Sequence, residues 1–400
     1  MPYYIGDVIK DSKRLIARTP QKFEETGVEV RLNTGVEELD IERERVLLAG
    51  GEVLPYDLLV VATGSTATLL DIPGTEREGI FVLKNLRDGI NIKEYIGEKQ
   101  CRKAVIVGAG FIAMEMAEAL KTIGLETRVV YRGDLPVKKW DPVFSQMVLD
   151  ELTDNGVIFM SHHSPVAVEE GAQARLCLVT DNERIETDLI IFALGVKPET
   201  TLAREAGIPI GESGAIQVDH TQQTKRDGIF AAGDCCESYH RIGKRWVSIP
   251  LGDIANKQGR VAGRNIGGSS MTFPGVIGAQ AFKVFDLEVA MTGLDEREAQ
   301  QSGYTPASTV IWGAPVARSM NAKRYRLGIK LIADKGSGSL LGAQAVGQGG
   351  AVSRINILSA CLWSGMDIDE IGYLDLAYSP PFGGAWDPIH TAAQILKKEL

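Results

Sequence analysis

The residues best suited to chemistry lie in the stretch AVIVGAGFIAMEMAEAL, Ala104 to Leu120. Gly108 and Gly110 stand there between an apolar, β-rich run and a long amphipathic segment. A strand, a glycine turn and a helix in that order cradle a dinucleotide pyrophosphate. The first glycine permits the tight turn, and the second lets the backbone approach the phosphates. Ala113 occupies the third position of the fingerprint and is small enough for the helix to pack on the strand. The free N–H groups at the helix start, near Phe111 and Ile112, would meet the anion where the helix dipole favours negative charge. Alone the glycine pattern is weak; the flanking runs make it a nucleotide site.

The residue that reads the adenosine ribose is expected about 20 positions further on. A second strand runs through Thr127, Arg128, Val129 and Val130, with Tyr131 and Arg132 next. No Asp or Glu stands at that point to accept ribose hydroxyls. Arg132 suits a 2′-phosphate instead, with Lys138 or Lys139 to assist. Ala113 in place of a third glycine has the same bias, so NADPH is favoured over NADH. A solvated turn arginine is the other reading of Arg132.

These residues need elements to hold them. YDLLVVATGS, Tyr56 to Ser65, reads as a buried strand ending in a small-residue turn, and residues 22–48 read as short antiparallel strands, VEVRL and RVLLA most clearly. A strand and a helix are expected over Ile80–Ile96. From residue 104 to about 200 strand and helix alternate, closing on TDLIIFALGVKP. Its turn, Ala193-Leu194-Gly195, echoes Ala62-Thr63-Gly64 and points to two related nucleotide-binding halves. DGIFAAGDCCES supplies a further strand that ends at Gly233-Asp234. A carboxylate placed there can accept hydrogen bonds from a polyol, or simply cap the next turn. A helix is predicted from about Leu251, with Pro250 near its start. From Gly275 the composition turns to strands and then a helix over Ala351–Ser364, a separate α+β domain. The final loop, LDLAYSPPFGGAWDPI, carries Tyr378, Phe382 and Trp386 as a contact surface.

At 400 residues the chain has room for two or three domains. Its 24% charged and 44% hydrophobic residues are ordinary for a soluble protein. A net charge of −9 without a basic cluster argues against nucleic acid as a partner. No apolar run approaches the ~20 residues that span a bilayer, so no membrane role is expected. Five scattered cysteines suggest a reducing cytoplasm. No metal-ligand spacing occurs, and His162 and His163 read as exposed residues at a strand edge. Cys235 and Cys236 are adjacent and read as small residues buried after a strand, because neighbours form only a strained ring disulfide. No catalytic role is assigned to any cysteine.

Eight segments in order, from MPYYIGDVI through YDLLVVATGS, VIVGAGFIAMEMAE, IFALGVKP, IFAAGD, IPLGDIANKQGR and KVFDLEVAMTGL to DLAYSPPFGGAWDP, resemble the flavoprotein disulfide reductases. The likeness is to the branch with coenzyme A-disulfide reductases, NADH oxidases and persulfide reductases. It implies an α/β fold of two Rossmann-like, three-layer nucleotide-binding domains, the first incomplete, plus a C-terminal α+β dimerisation domain. The corresponding divisions are 1–100 with 217–274 for FAD, 101–216 for NAD(P), and 275–400 for the interface. By that resemblance Ala62, Thr63 and Gly64 lie near FAD and Asp234, after Gly233, binds its ribityl chain. The helix following Pro250 and Leu251, with Ala255 in its first turn, would point at the flavin pyrimidine edge. Gly108, Gly110, Phe111, Ile112, Tyr131, Arg132, Ala193 and Gly195 would hold NAD(P)H, with Glu115 where the nicotinamide meets the flavin. Tyr378, and less directly Tyr325, would reach the active site of the partner in a homodimer. The implied activity passes hydride from NAD(P)H to flavin and on to a small disulfide, a persulfide or oxygen.

In that family an FAD-binding βαβ unit and a redox Cys-Gly dipeptide stand directly ahead of the segment that Met1 begins. One expectation is therefore a longer protein, by ~45 residues, about one βαβ unit and its loop. The alternative is a non-catalytic nucleotide-binding or dimeric scaffold without bound flavin.

Overall fold

A computed structural model describes residues 1–400. The chain forms two compact units, each assembled from separated stretches. The first comprises residues 1–10, 68–195 and 277–400; the second comprises 11–67 and 196–276.

In the first unit a five-stranded parallel sheet contains β1 (Ile80–Val82), β2 (Lys103–Val107), β3 (Glu126–Val130), β4 (Ile158–Met160) and β5 (Leu189–Phe192), in the order β1-β5-β2-β3-β4. The helices α1 (Leu86–Glu98), α2 (Phe111–Thr122) and α3 (Pro142–Asp154) alternate with them. The strands read as unbroken apolar runs because both faces are covered. Ala104, Ile106, Leu189 and Ile191 pack with Met114 and Met116 of α2. Val105, Val107, Ile190 and Phe192 face the other way, onto Val168, Leu178 and Ile185. The alternation follows from the two-residue period of a strand.

That second covering layer corrects the sequence reading. Strand–helix alternation stops after α3: residues 165–187 form a three-stranded antiparallel meander, Pro165–Glu170, Leu176–Thr180 and Arg184–Thr187. Apolar residues at strand period looked the same in a crossover as in a meander, and only the covered sheet face distinguishes them.

The C-terminal stretch contributes an antiparallel sheet of β6 (Gln280–Val284), β7 (Leu287–Gly293), β8 (Pro306–Gly313), β9 (Leu327–Asp334) and β10 (Leu340–Gly347), ordered β6-β7-β10-β9-β8. Helices α4 (Ala351–Ser364) and α5 (Pro388–Leu396) pack against it. Phe282, Val284, Leu287, Val289 and Met291 join the same buried cluster as α2 and as Phe144 of α3. Beside it Lys330 is buried and ion-paired to both Asp141, at 2.8 Å, and Glu296.

The second unit holds small sheets. Val36–Asp40, Arg45–Leu48 and Val53–Pro55 form an antiparallel trio, and Leu59–Val61 runs parallel to Ile229–Ala231. Two expectations fail here. VEVRL is irregular, with Val28 and Leu32 exposed and Arg31 bonded to Glu29 and Glu52, while Pro20–Glu24 is a helix. A strand needs a neighbour for its backbone groups, and VEVRL has none. YDLLVVATGS is not a single buried strand either: it splits into Leu59–Val61 and Ser65–Ala67, and Leu58 and Val60 are exposed. The face of the Leu59–Val61 strand that carries Leu58 and Val60 is uncovered, while Val61 on the opposite face is buried.

Candidate functional site

The predicted site residues fall into two constellations, one in each unit. In the first unit β2 delivers the chain to Gly108, whose φ of +115° lies in the region that favours glycine. A Cβ at Gly108 would come 2.5 Å from the Ala193 carbonyl oxygen, so the turn has room for no side chain. Gly108 N–H donates to Val130 O and Ala193 N–H to Val107 O, which stitches the carboxyl ends of β2, β3 and β5 together. Gly110 starts α2 with no side-chain cap, and a Cβ there would meet open space. Ala113 is fully buried in the helix–strand contact. Gly195, at φ +92°, likewise borders open space. An uncapped helix start above a glycine turn is an anion site, and these residues fit a dinucleotide pyrophosphate.

Phe111 is exposed at the helix start, its ring 6.4 Å from that of Phe282, and Ile112 is half-buried beside it. Glu115 sits one turn further on. Burial raises its carboxyl above the ordinary range and Glu118 adds to the rise, while the amino terminus and the Tyr3 hydroxyl, 3.4 Å away, oppose it. The Tyr3 phenol is in turn pushed up to about 12 by burial and by the charges of Glu115 and Glu118.

Beyond β3, Tyr131 packs its ring 6.3 Å from Phe159 and accepts the backbone N–H of His163. Arg132 is exposed and makes no ion pair, whereas Lys139 pairs with Glu298. Two neighbours escaped the sequence reading. Asp134, two residues after Arg132, has its Oδ1 2.8 Å from His162 Nε2. His162 follows β4, the next strand of the sheet. His163 is not exposed as expected: its side chain is largely covered and lies 3.1 Å from Glu183.

In the second unit the turn Ala62-Thr63-Gly64 follows Leu59–Val61, with Gly64 at φ +74° and open space beside it. Thr63 Oγ1 donates to Glu199 O at 2.5 Å. Ser65 Oγ donates to Asp234 Oδ2 at 2.8 Å, which draws the ends of the two parallel strands together. Gly233 adopts φ +89° and approaches Ala255, and its N–H donates to Gln258 Oε1. Gln258 is fully buried and also donates to Glu237 O and Ser238 Oγ. It locks the Gly233-Asp234 turn to the helix Gly252–Ile266, a role visible only once strand and helix are adjacent. Leu251 caps that helix without a side-chain bond, and Pro250 precedes it. The half-buried Asp234 carboxylate and this uncapped helix start fit the ribityl chain and pyrimidine edge of a flavin.

Tyr378 stands apart from both constellations. It is 60% exposed on a loop that also exposes Tyr373, Phe382 and Trp386. Arg354 anchors the loop from α4: buried, it donates to Pro315 O, Phe382 O and, at 2.8 Å, to Asp387 Oδ2. Tyr325 is half-buried in the β8–β9 connection, with Lys323 Nζ 5.5 Å from its ring centre.

All five cysteines are free thiols. Cys177, Cys235, Cys236 and Cys361 are buried, and burial raises each above the ordinary thiol range. Burial and the charge of Asp188 push Cys101 up to about 11. None is a thiolate nucleophile at neutral pH.

A glycine turn that fits a pyrophosphate on one parallel sheet, and a carboxylate that fits a polyol beside a second strand turn, are the marks of a reductase of the two-nucleotide kind. The pattern of the pyridine nucleotide-disulphide oxidoreductases matches residues 5–259, that of their dimerisation domain matches 279–388, and the chain belongs to this family. It is 33% identical over 397 residues to an NAD(P)H sulfur oxidoreductase (CoA-dependent) of Pyrococcus furiosus, covering 98% of this chain and 89% of that one. It is 31% identical to an NADH oxidase of Methanocaldococcus jannaschii, over 100% and 90% of the two chains. Among solved structures, an NAD-dependent persulfide reductase of A. fulgidus superposes with a TM-score of 0.94 at 34% identity. That match covers 100% of this chain and 75% of the other.

Proposed function

We propose that the chain is an FAD-dependent NAD(P)H oxidoreductase that reduces a small persulfide, disulfide or oxygen acceptor in the cytoplasm as a homodimer. NADPH is preferred over NADH. The observation that carries the reading is the Gly108–Gly110 turn closed against Ala193 over an uncapped α2, with an unpaired Arg132 at the end of the neighbouring strand. Bound FAD supplies hydride acceptance and onward delivery of electrons. The protein's residues orient and exclude: α2 holds the pyrophosphate, Asp234 accepts the ribityl hydroxyls, and the helix start at Gly252 stabilises negative charge. No thiol step runs through the five cysteines: burial keeps four of them protonated, and partial burial with the charge of Asp188 does the same for Cys101. The exposed aromatic loop anchored by Arg354 supports the homodimer.

The test is an absorbance spectrum of the purified protein before and after anaerobic NADPH. A flavin band that bleaches is the expected result; a colourless protein overturns the reading. One observation favours a second reading, a nucleotide-binding dimer without flavin. Leu58 and Val60 remain exposed beside the Ala62–Gly64 turn.

A further inference from the structure

The glycine turn at 108–110 is held from a second side, by a segment that is itself strained. Val137 is buried at φ +48°, in the left-handed region where a β-branched residue is an outlier. Such a conformation persists only where its surroundings over-determine it, and here they do. Val137 N–H donates to Ala109 O at 2.8 Å, while Val137 O accepts Trp140 N–H at 2.9 Å and Ser145 Oγ at 3.4 Å. The residues that follow are tied to the C-terminal sheet. Gln344 of β10 is buried; its Oε1 accepts Asp141 N–H at 2.7 Å and its Nε2 donates to Lys139 O at 3.0 Å. Lys330 of β9 pairs with the Asp141 carboxylate, and the Lys139 ammonium lies 3.3 Å from Glu298. Trp140 meets Phe282 of β6 edge-on, with ring centres 5.5 Å apart. The exposed Lys138 is carried between these anchors.

The effect reaches the coenzyme through one peptide plane. In a trans peptide the C=O and the following N–H point in opposite directions. With Ala109 O fixed on Val137, the Gly110 N–H is turned to the other side, at the uncapped start of α2. Open space borders Gly110.

We propose that Gln344 is a positioning residue for the dinucleotide: it holds the Val137–Asp141 segment in its strained turn, and that turn aims the Gly110 N–H at the pyrophosphate. This rests on the coenzyme placement proposed above. Contacts with the C-terminal sheet, not the ligand, offset the strain at Val137, so the cradle is formed before the coenzyme arrives. Without Gln344 the segment relaxes, and part of the binding free energy goes into re-forming it.

Calorimetric titration of the purified protein with NADP⁺ and with NAD⁺ reads the effect without hydride transfer. Gln344→Met keeps the length of the buried side chain and removes both bonds. It should raise Kd for the two nucleotides equally, because they share the pyrophosphate, by about five- to thirtyfold, the range set by the left-handed penalty. Adding Val137→Gly should return both affinities to within about threefold of the unaltered chain, because glycine takes φ +48° without help. A general loss of stability would not be mended by deleting a second buried side chain, so the rescue separates positioning from mere support. An unchanged Kd in Gln344→Met, a loss confined to NADP⁺, or no rescue by Val137→Gly overturns the proposal. Should Gln344→Met not fold, hydrogen exchange in the unaltered chain decides. The Val137 and Asp141 amides should open as one unit, with protection factors that agree within about tenfold, and a wider spread overturns the proposal. An unaltered chain that binds neither nucleotide overturns the coenzyme reading itself.

Discussion

Glu115 sits where burial works against its charge, and its folded carboxyl titrates above the ordinary range. A raised acid favours the folded state at low pH and costs stability once pH exceeds the folded value. Glu115→Gln should therefore raise Tm at about pH 8 and leave it unchanged at about pH 4, a contrast read by scanning calorimetry at the two pH values. Equal shifts at both would mean that packing, not charge, is what the substitution changes. Asp234 is read through the flavin instead. The Gly233–Gln258 bond holds the backbone of its turn and survives loss of the carboxylate, whereas the Ser65 bond is lost with it. Asp234→Ala should lower the flavin-to-protein ratio of the purified protein about tenfold, the loss of one or two charge-assisted hydrogen bonds. Normal flavin content in that variant would remove Asp234 from the site.

At the scale of elements the β2–turn–α2 unit is the most constrained part of the chain. Gly108→Ala places a methyl group against the Ala193 carbonyl and forces an L-residue to φ +115°, at a cost of about 2–4 kcal/mol. Urea denaturation should show that loss together with abolished NADPH binding. A variant that keeps both would mean the turn relaxes freely. This unit was legible in the sequence because all its signals are local: an apolar run, two glycines, then helical periodicity. The helix α4 was legible for the same reason and spans Ala351–Ser364 as expected, flanked by Gly350 and Gly365 in left-handed conformations. The meander at 165–187 was not, because its strands are defined by the sheet face they cover. Gln258 and the Asp134–His162 pair escaped for a related reason: their partners are remote in sequence, and neither residue type is informative until the fold brings the partner within reach.

For the molecule as a whole, the exposed aromatics are the main unsettled surface. Tyr373, Tyr378, Phe382 and Trp386 lie within one segment, and Arg354 and Asp387 hold its base through a buried ion pair. Large aromatics gathered on a rigid base are the usual anchors of an interface. Light scattering should give twice the 43.3 kDa of one chain, and the double variant Phe382→Glu, Trp386→Glu should give the single mass with Tm little changed. An unaltered dimer would place the interface elsewhere.

The shared cluster of α2, α3, β6 and β7 has a consequence for how the protein is made. The ribosome releases the glycine cradle early, but Phe282, Val284, Leu287, Val289 and Met291, which cover those helices, emerge much later. At the usual pace of synthesis the interval between Leu120 and Met291 lasts roughly ten to thirty seconds. Throughout it the nascent chain carries a bare apolar flank, the kind of surface that makes a partly made chain prone to aggregate. The nucleotide site is thus written well before it is finished, and synthesis that stalls near Gln280 would yield a chain that sticks before it can bind.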